Sequence, residues 1–274
     1  MAPATRHGRS THRPAPLLTG LPIAAVLFDY GLTLVSFEPP GEALEAAQEA
    51  IARCVEAAGH PRPPLAMLRE AVHDRVEAQV SAHEASGALR EIDVAALERR
   101  AFSDIGLDLD EELRDRCSVL AQEAWWHGVT LYPEAIGVLR GLRRAGLRVG
   151  VCSNAAWRSA SMHDQLREVG LASVIDAAVF SGEVGWRKPS RRLFAAALRA
   201  LGARPEQTVF VGDRMREDIV GAARAGMRTV LVARDPAHPG EPRPGGPDAV
   251  ITTLSDLPAL LRGGPDVTKV GAQN

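Results

Sequence analysis

Residues 23–28, IAAVLF, form an unbroken apolar run of strand length that stops at Asp29. A run with no polar position suits a strand buried on both faces. The pattern recurs at LRVGVC (147–152), AAVF (177–180), TVFVG (208–212), RTVLVA (228–233) and DAVI (248–251). Between these runs lie the helical patterns PEAIGVLRGLRRAG, AWRSASMHDQLREVG, SRRLFAAALRALG and REDIVGAARAG. Several end in the glycine that commonly stops a helix. Strands alternating with helices predict an α/β fold, a Rossmann-like parallel sheet with helices on both faces.

Residues 38–128 break the rhythm. They hold no convincing strand but several amphipathic stretches, among them GEALEAAQEAIARCVEAAG and DEELRDRCSVLAQEAWW. Four or five helices are expected there, as an all-helical domain inserted after the first strand. The core then comprises residues 21–37 and 129–262. Residues 1–20 are basic and Pro-rich, without the apolar stretch of a secretory signal. They are read as a disordered arm, with a short nucleic-acid or partner tail as the alternative. Residues 263–274 read as a loose tail.

Hydrophobic residues make up 46% of the chain and aromatics only 4%, so the core must be built from Ala, Val, Leu and Ile. A net charge of −2 exerts no global pull on nucleic acid or membranes. No apolar run is long enough to cross a bilayer. Cys54, Cys117 and Cys152 are odd in number and widely spaced, which offers neither a disulfide framework nor a zinc pattern. A reducing, cytoplasmic location is the expectation.

In open α/β sheets ligands bind beyond the carboxyl ends of the strands, so polar residues there carry most weight. Asp29, in FDYGLTL, reads either as a turn residue or as a carboxylate nucleophile. Thr33 either stabilises the loop or contacts an anion. Ser153 and Asn154 follow LRVGVC; each is a favoured helix cap, and each also suits a phosphate cradle. Lys188 precedes Pro189 in a chain rich in arginine whose only other lysine is Lys269. It reads as solvated surface or as a compact cation facing negative charge. In VFVGDRMREDIVGA, Asp218 suits a helix N-terminus. With Asp213 it also offers the oxygen ligands that magnesium takes.

The order strand–Asp, strand–Ser, loop–Lys, strand–GDxxxxD resembles that of the haloacid dehalogenase-like hydrolase superfamily. The resemblance runs from about residue 21 to residue 260. Asp29 matches the first motif, Ser153 in VCSNAA the second, Lys188 in WRKP the third, and Asp213 and Asp218 in GDRMRED the fourth. The helical block sits where such enzymes carry a cap. The resemblance implies a Mg²⁺-dependent phosphatase of a small phosphorylated metabolite, in which Asp29 forms an aspartyl-phosphate. Asp29, the Gly31 carbonyl, Asp213 and Asp218 would hold the metal. Ser153 and Lys188 would hold the transferring group, with Thr33 and Asn154 nearby.

One position departs from the family pattern. Its phosphatases and mutases usually carry a second Asp two residues after the nucleophile, as acid and base; here that position is Gly31. Loss of a positioned acid–base costs ~10²–10⁴ in rate, about 3–5 kcal/mol. A phosphomutase, which must move protons on sugar hydroxyls, is disfavoured. A phosphonate hydrolase needs a cap lysine, and residues 38–128 contain none. Two alternatives remain: a metal-independent 2-haloacid dehalogenase, and a catalytically weak binding or regulatory protein. The candidate proton donors in the cap are His73, His83, Glu84 and His127. Substrate choice is expected from residues 40–85 and 120–128 and from the loop around Trp157. Trp125 and Trp126 serve either the pocket or packing.

Overall fold

The computed structural model describes residues 22–234 and 246–261. The expected N-terminal arm and C-terminal tail lie outside the described residues. In chain order the strands are β1 (Ala25–Phe28), β2 (Val35–Phe37), β3 (Val129–Leu131), β4 (Arg148–Ser153), β5 (Ala177–Phe180), β6 (Thr208–Gly212), β7 (Arg228–Val232) and β8 (Ala249–Ile251). Six form one parallel sheet in the order β5-β4-β1-β6-β7-β8. All six apolar runs singled out in the sequence are its strands.

The sheet separates two apolar layers. Val26 and Phe28 of β1 face one layer, and Ala25 and Leu27 face the other. The period-two alternation of a strand explains why both sets are apolar. The first layer is closed by α6 (Ala135–Arg144), α7 (Ser159–Glu168) and α11 (Leu257–Leu261). The second is closed by α9 (Arg191–Leu201) and α10 (Gly221–Arg224). A short helix, α8 (Ser181–Val184), follows β5.

Four helical segments lie between β2 and β3. They are α1 (Glu42–Ala57), a composite rod, α4 (Val94–Asp104) and α5 (Glu111–Trp126). The rod runs from α2 (Leu65–Met67) through a π-helical turn, Leu68–Asp74, into α3 (Arg75–Ala85). Asp93 and Asp110 each accept a hydrogen bond from a backbone N–H three residues on, capping α4 and α5. The block has its own apolar centre, built from Ile51, Val55, Leu68, Phe102, Leu113 and Cys117. The two crossings into and out of the block form an antiparallel ribbon of β2 and β3. The sequence reading did not anticipate this ribbon, because three-residue strands carry too little alternation to register.

A second seam joins the helical block to the sheet domain. Val76, Val80, Val94 and Ala101 pack with Ala156 and Trp157. Arg90 bridges Trp186 in antiparallel fashion, with Glu91 N donating to Gly185 O and Arg187 N to Leu89 O. The guanidinium groups of Arg90 and Arg192 lie 4.9 and 4.0 Å from the Trp186 ring centre. Arg187 donates to both oxygens of Glu91 at 2.9 and 3.1 Å and to Glu84 at 2.8 Å. The Glu91 side chain is only 3% exposed. Arg187→Ala therefore leaves a buried carboxylate unpaired, and a loss of about 3–5 kcal/mol is expected in urea unfolding. A loss below about 1 kcal/mol would show that this seam contributes little.

Candidate active site

The tight turn after β1 places Asp29 at the carboxyl edge of the sheet, beside the ends of β4 and β6. Three donors converge on one oxygen. Asp29 Oδ1 accepts from Tyr30 N at 2.8 Å and Ser153 Oγ at 2.7 Å, and lies 2.7 Å from Lys188 Nζ. Oδ2 is left for other work.

Ser153 ends β4, and neither it nor Asn154 caps a helix, since α7 begins at Ser159 after Arg158. Asn154 instead braces the lysine loop: its Oδ1 accepts from Lys188 N at 2.7 Å and its Nδ2 donates to Lys188 O at 3.4 Å. Lys188 is 3% exposed and also lies 2.6 Å from Asp218 Oδ1. Burial pulls its pKa down, but the Asp218 and Asp29 carboxylates outweigh that and hold it above the usual lysine range. The solvated-surface reading of Lys188 is thus excluded.

Asp213 follows β6 on the loop, and Asp218 sits in a π-helical turn, Met215–Val220. Asp218 Oδ2 accepts from Arg214 N at 3.0 Å. Thr33, fully buried, donates to Asp213 Oδ1 at 3.4 Å. A Cβ on Gly212 would stand 2.7 Å from Asp218 Cβ, so only glycine lets that carboxylate come so close. Burial and then the neighbouring Asp29 push the Asp213 carboxyl up to about 6. Burial pushes Asp218 up as well, against the pull of Lys188. Asp29, Asp213 and Asp218 each present an oxygen within 4.8 Å of the others. Three hard oxygen donors so close together fit a divalent cation such as Mg²⁺, which would relieve their repulsion.

The Gly31 position is occupied differently from an acid. Its ideal Cβ would meet Phe37 Cε2 at 2.8 Å. Phe37 belongs to the ribbon strand β2, so the aromatic ring stands where a side chain at 31 would start. The next residue, Leu32, has φ 56°, and among the described residues it alone, glycines aside, is left-handed. That conformation costs roughly 1–2 kcal/mol. The turn that follows Asp29 is therefore held in a shape its own side chains disfavour.

A cavity of about 350 Å³ opens from Asp29, Ser153 and Lys188 toward the helical block. Leu44, Ile51, Leu68, Val72, Trp125 and Trp126 give it an apolar wall. Trp157 and Arg214 also reach it. Of the proton donors expected from the sequence, His73 and Glu84 line the cavity, whereas His83 and His127 do not. His83 Nε2 instead bonds Arg90 O at 2.8 Å. Burial holds His73 below the usual histidine range. The sequence reading missed Glu98, which lines the cavity and accepts from Ser118 at 2.8 Å. Burial pushes its carboxyl up to about 7. It also missed Gln48 and Gln122, whose buried Nε2 and Oε1 have no hydrogen-bond partner among the described residues. Such orphans cost about 1–3 kcal/mol each.

A buried lysine held between two carboxylates, with an acidic trio at the carboxyl edge of a parallel sheet, makes a charged site of the kind that open α/β folds place at strand ends. A model of the haloacid dehalogenase-like hydrolase family matches residues 23–226. The chain belongs to that family. It is 34% identical over 139 residues to a glyceraldehyde 3-phosphate phosphatase of Methanopyrus kandleri, covering 51% of this chain and 59% of that protein. It is 38% identical over 127 residues to a phosphoserine phosphatase of Thermus thermophilus, covering 46% and 49%. The chain thus spans about half the length of the curated relatives it matches. A 2-haloacid dehalogenase from Pseudomonas syringae pv. tomato DC3000 superposes with a TM-score of 0.61 at 28% identity, over 88% of this chain and 98% of that one. Among the described residues no helix is long and apolar enough to cross a membrane.

Proposed function

We propose that this protein is a phosphatase of a small phosphorylated metabolite, with Asp29 as its nucleophile, working in the cytoplasm. The observation that carries this reading is the acidic trio facing Lys188, because phosphate is a substrate whose charge needs that much management. In this reading residues 38–128 act as a cap over a core of residues 21–37 and 129–262.

The Asp29, Asp213 and Asp218 side chains and the Gly31 carbonyl would hold Mg²⁺. When bound, the ion would screen the phosphate and polarise its oxygens. Ser153 Oγ and Lys188 Nζ, which fix Asp29 Oδ1, orient the carboxylate so that Oδ2 faces the incoming phosphorus. Oδ2 forms the new P–O bond as the ester P–O bond breaks, and the alcohol leaves. Lys188 balances the charge of Asp29 and of the transferring group. Asn154 keeps the lysine loop in register. Water then hydrolyses the aspartyl-phosphate and frees Asp29. With glycine at 31, the leaving alcohol takes its proton from elsewhere, which favours substrates with good leaving groups.

The expected result is hydrolysis of phenyl phosphate that needs Mg²⁺ and stops on chelation with EDTA. No turnover with or without Mg²⁺ would end the phosphatase reading and favour a binding or regulatory protein. A second reading, 2-haloacid dehalogenase, is favoured by the structural neighbour of that name and by glycine at 31. Metal-free chloride release from 2-chloropropionate would install it in place of the first.

A further inference from the structure

The cavity beyond Asp29 is specialised in a way the catalytic residues do not require. Gln48, on α1, is 6% exposed, and Gln122, on α5, is 9% exposed. The two helices pack against each other, and both residues contribute to the cavity wall. Gln48 Nε2 and Gln122 Oε1 are buried without a partner among the described residues. Native interiors leave few polar atoms in that state, so a donor and an acceptor on one wall point to a ligand group that meets both. An amide or a comparable neutral group with its own donor and acceptor has the matching chemistry.

The charges on that wall narrow the choice. The helical block contributes the carboxylates of Glu77, Glu84 and Glu98 to the cavity, together with His73, but neither a lysine nor an arginine. Burial disfavours the cationic form of His73. Of the three carboxylates Glu84 alone has an ion-pair partner among the described residues, Arg187, so an anionic group at this end would face a wall of excess negative charge. The remaining wall is aliphatic and aromatic. The volume, about 350 Å³, sits at the small end of ligand pockets.

We propose that the substrates are phosphate monoesters of small, uncharged, largely apolar alcohols bearing an amide-like group, and that Gln48 and Gln122 bind that group. This rests on the phosphatase reading above. A second phosphate or a carboxylate on the leaving group is rejected by the acidic wall, so bisphosphates and acidic phosphoesters are poor substrates.

The test compares 4-acetamidophenyl phosphate with 4-carboxyphenyl phosphate, which are similar in size and differ in charge. The expected kcat/KM ratio is about tenfold or more in favour of the acetamide. Gln48→Leu and Gln122→Leu should each lower that kcat/KM about fivefold or more relative to the change seen for phenyl phosphate, mainly through KM. Equal or better turnover of the carboxylate overturns the proposal, as does an equal loss for both esters in the glutamine variants. Trapping of beryllium fluoride at Asp29 tests the catalytic reading alone, because that ion does not reach the amides. If trapping and turnover both fail, NMR titration with free 4-acetamidophenol and 4-hydroxybenzoate still decides the cavity's preference. Binding of the first with shifts that Gln48→Leu removes supports the assignment; equal binding of the second overturns it.

Discussion

Asp29→Asn is expected to lower turnover by on the order of 10⁴-fold or more while leaving the fold intact. Asparagine keeps the shape and an oxygen that can still accept from Tyr30 N and Ser153 Oγ, the two neutral donors now on Oδ1. Lys188 keeps its 2.6 Å contact with Asp218, so no buried cation is stranded. What disappears is the anionic oxygen that would attack phosphorus. Activity and beryllium fluoride trapping should vanish together, with a melting temperature within a few degrees of the parent. Turnover above one part in a hundred would place the nucleophile elsewhere.

Lys188→Met should damage both chemistry and stability. Methionine fills similar space beside Phe210 but removes the cation shared by Asp29 and Asp218. Asp218 is completely buried and Asp29 nearly so. Breaking a buried pair by deleting one partner typically costs about 3–5 kcal/mol, because the surviving charge stays in a poor solvent. Here two carboxylates survive. The expected outcome is a large loss in urea unfolding together with a drop of ~10³-fold or more in kcat. Mg²⁺ should raise the melting temperature of this variant more than that of the parent, since binding to the folded trio supplies a replacement cation. A Mg²⁺ shift no larger than in the parent would argue against a metal at Asp29, Asp213 and Asp218.

Much of this architecture was legible because parallel strands buried on both faces leave runs such as IAAVLF and TVFVG that little else explains. Asp29, Ser153 and Asp213 stood out because they follow those runs, and Lys188 because the chain has only one other lysine. The structure brings Ser153 and Lys188 onto Asp29 across more than a hundred residues, joins Lys188 to Asp218, and sets Asp213 beside them. The contacts that surround the site were not legible. Arg187 lay in plain view beside Lys188, but its partners Glu84 and Glu91 are 103 and 96 residues away, and local pattern carries no such pairing. Glu98, Gln48 and Gln122 sit on amphipathic helices where polar residues are ordinary; only the packing of those helices turns them inward. Leu32 gave no signal either, because leucine is not a residue that advertises a left-handed turn.

The stack of Arg90, Trp186 and Arg192 gives the protein an optical gauge. One guanidinium belongs to the helical block and the other to the sheet domain, and they lie 4.9 and 4.0 Å from the indole ring centre. Indole emission responds to nearby charge and to wetting, so lifting the block by a few ångströms would register in the fluorescence of this one residue. With Trp125, Trp126 and Trp157 replaced by phenylalanine, Trp186 becomes the sole tryptophan. Seating of the helical block could then be followed in real time, without an external label.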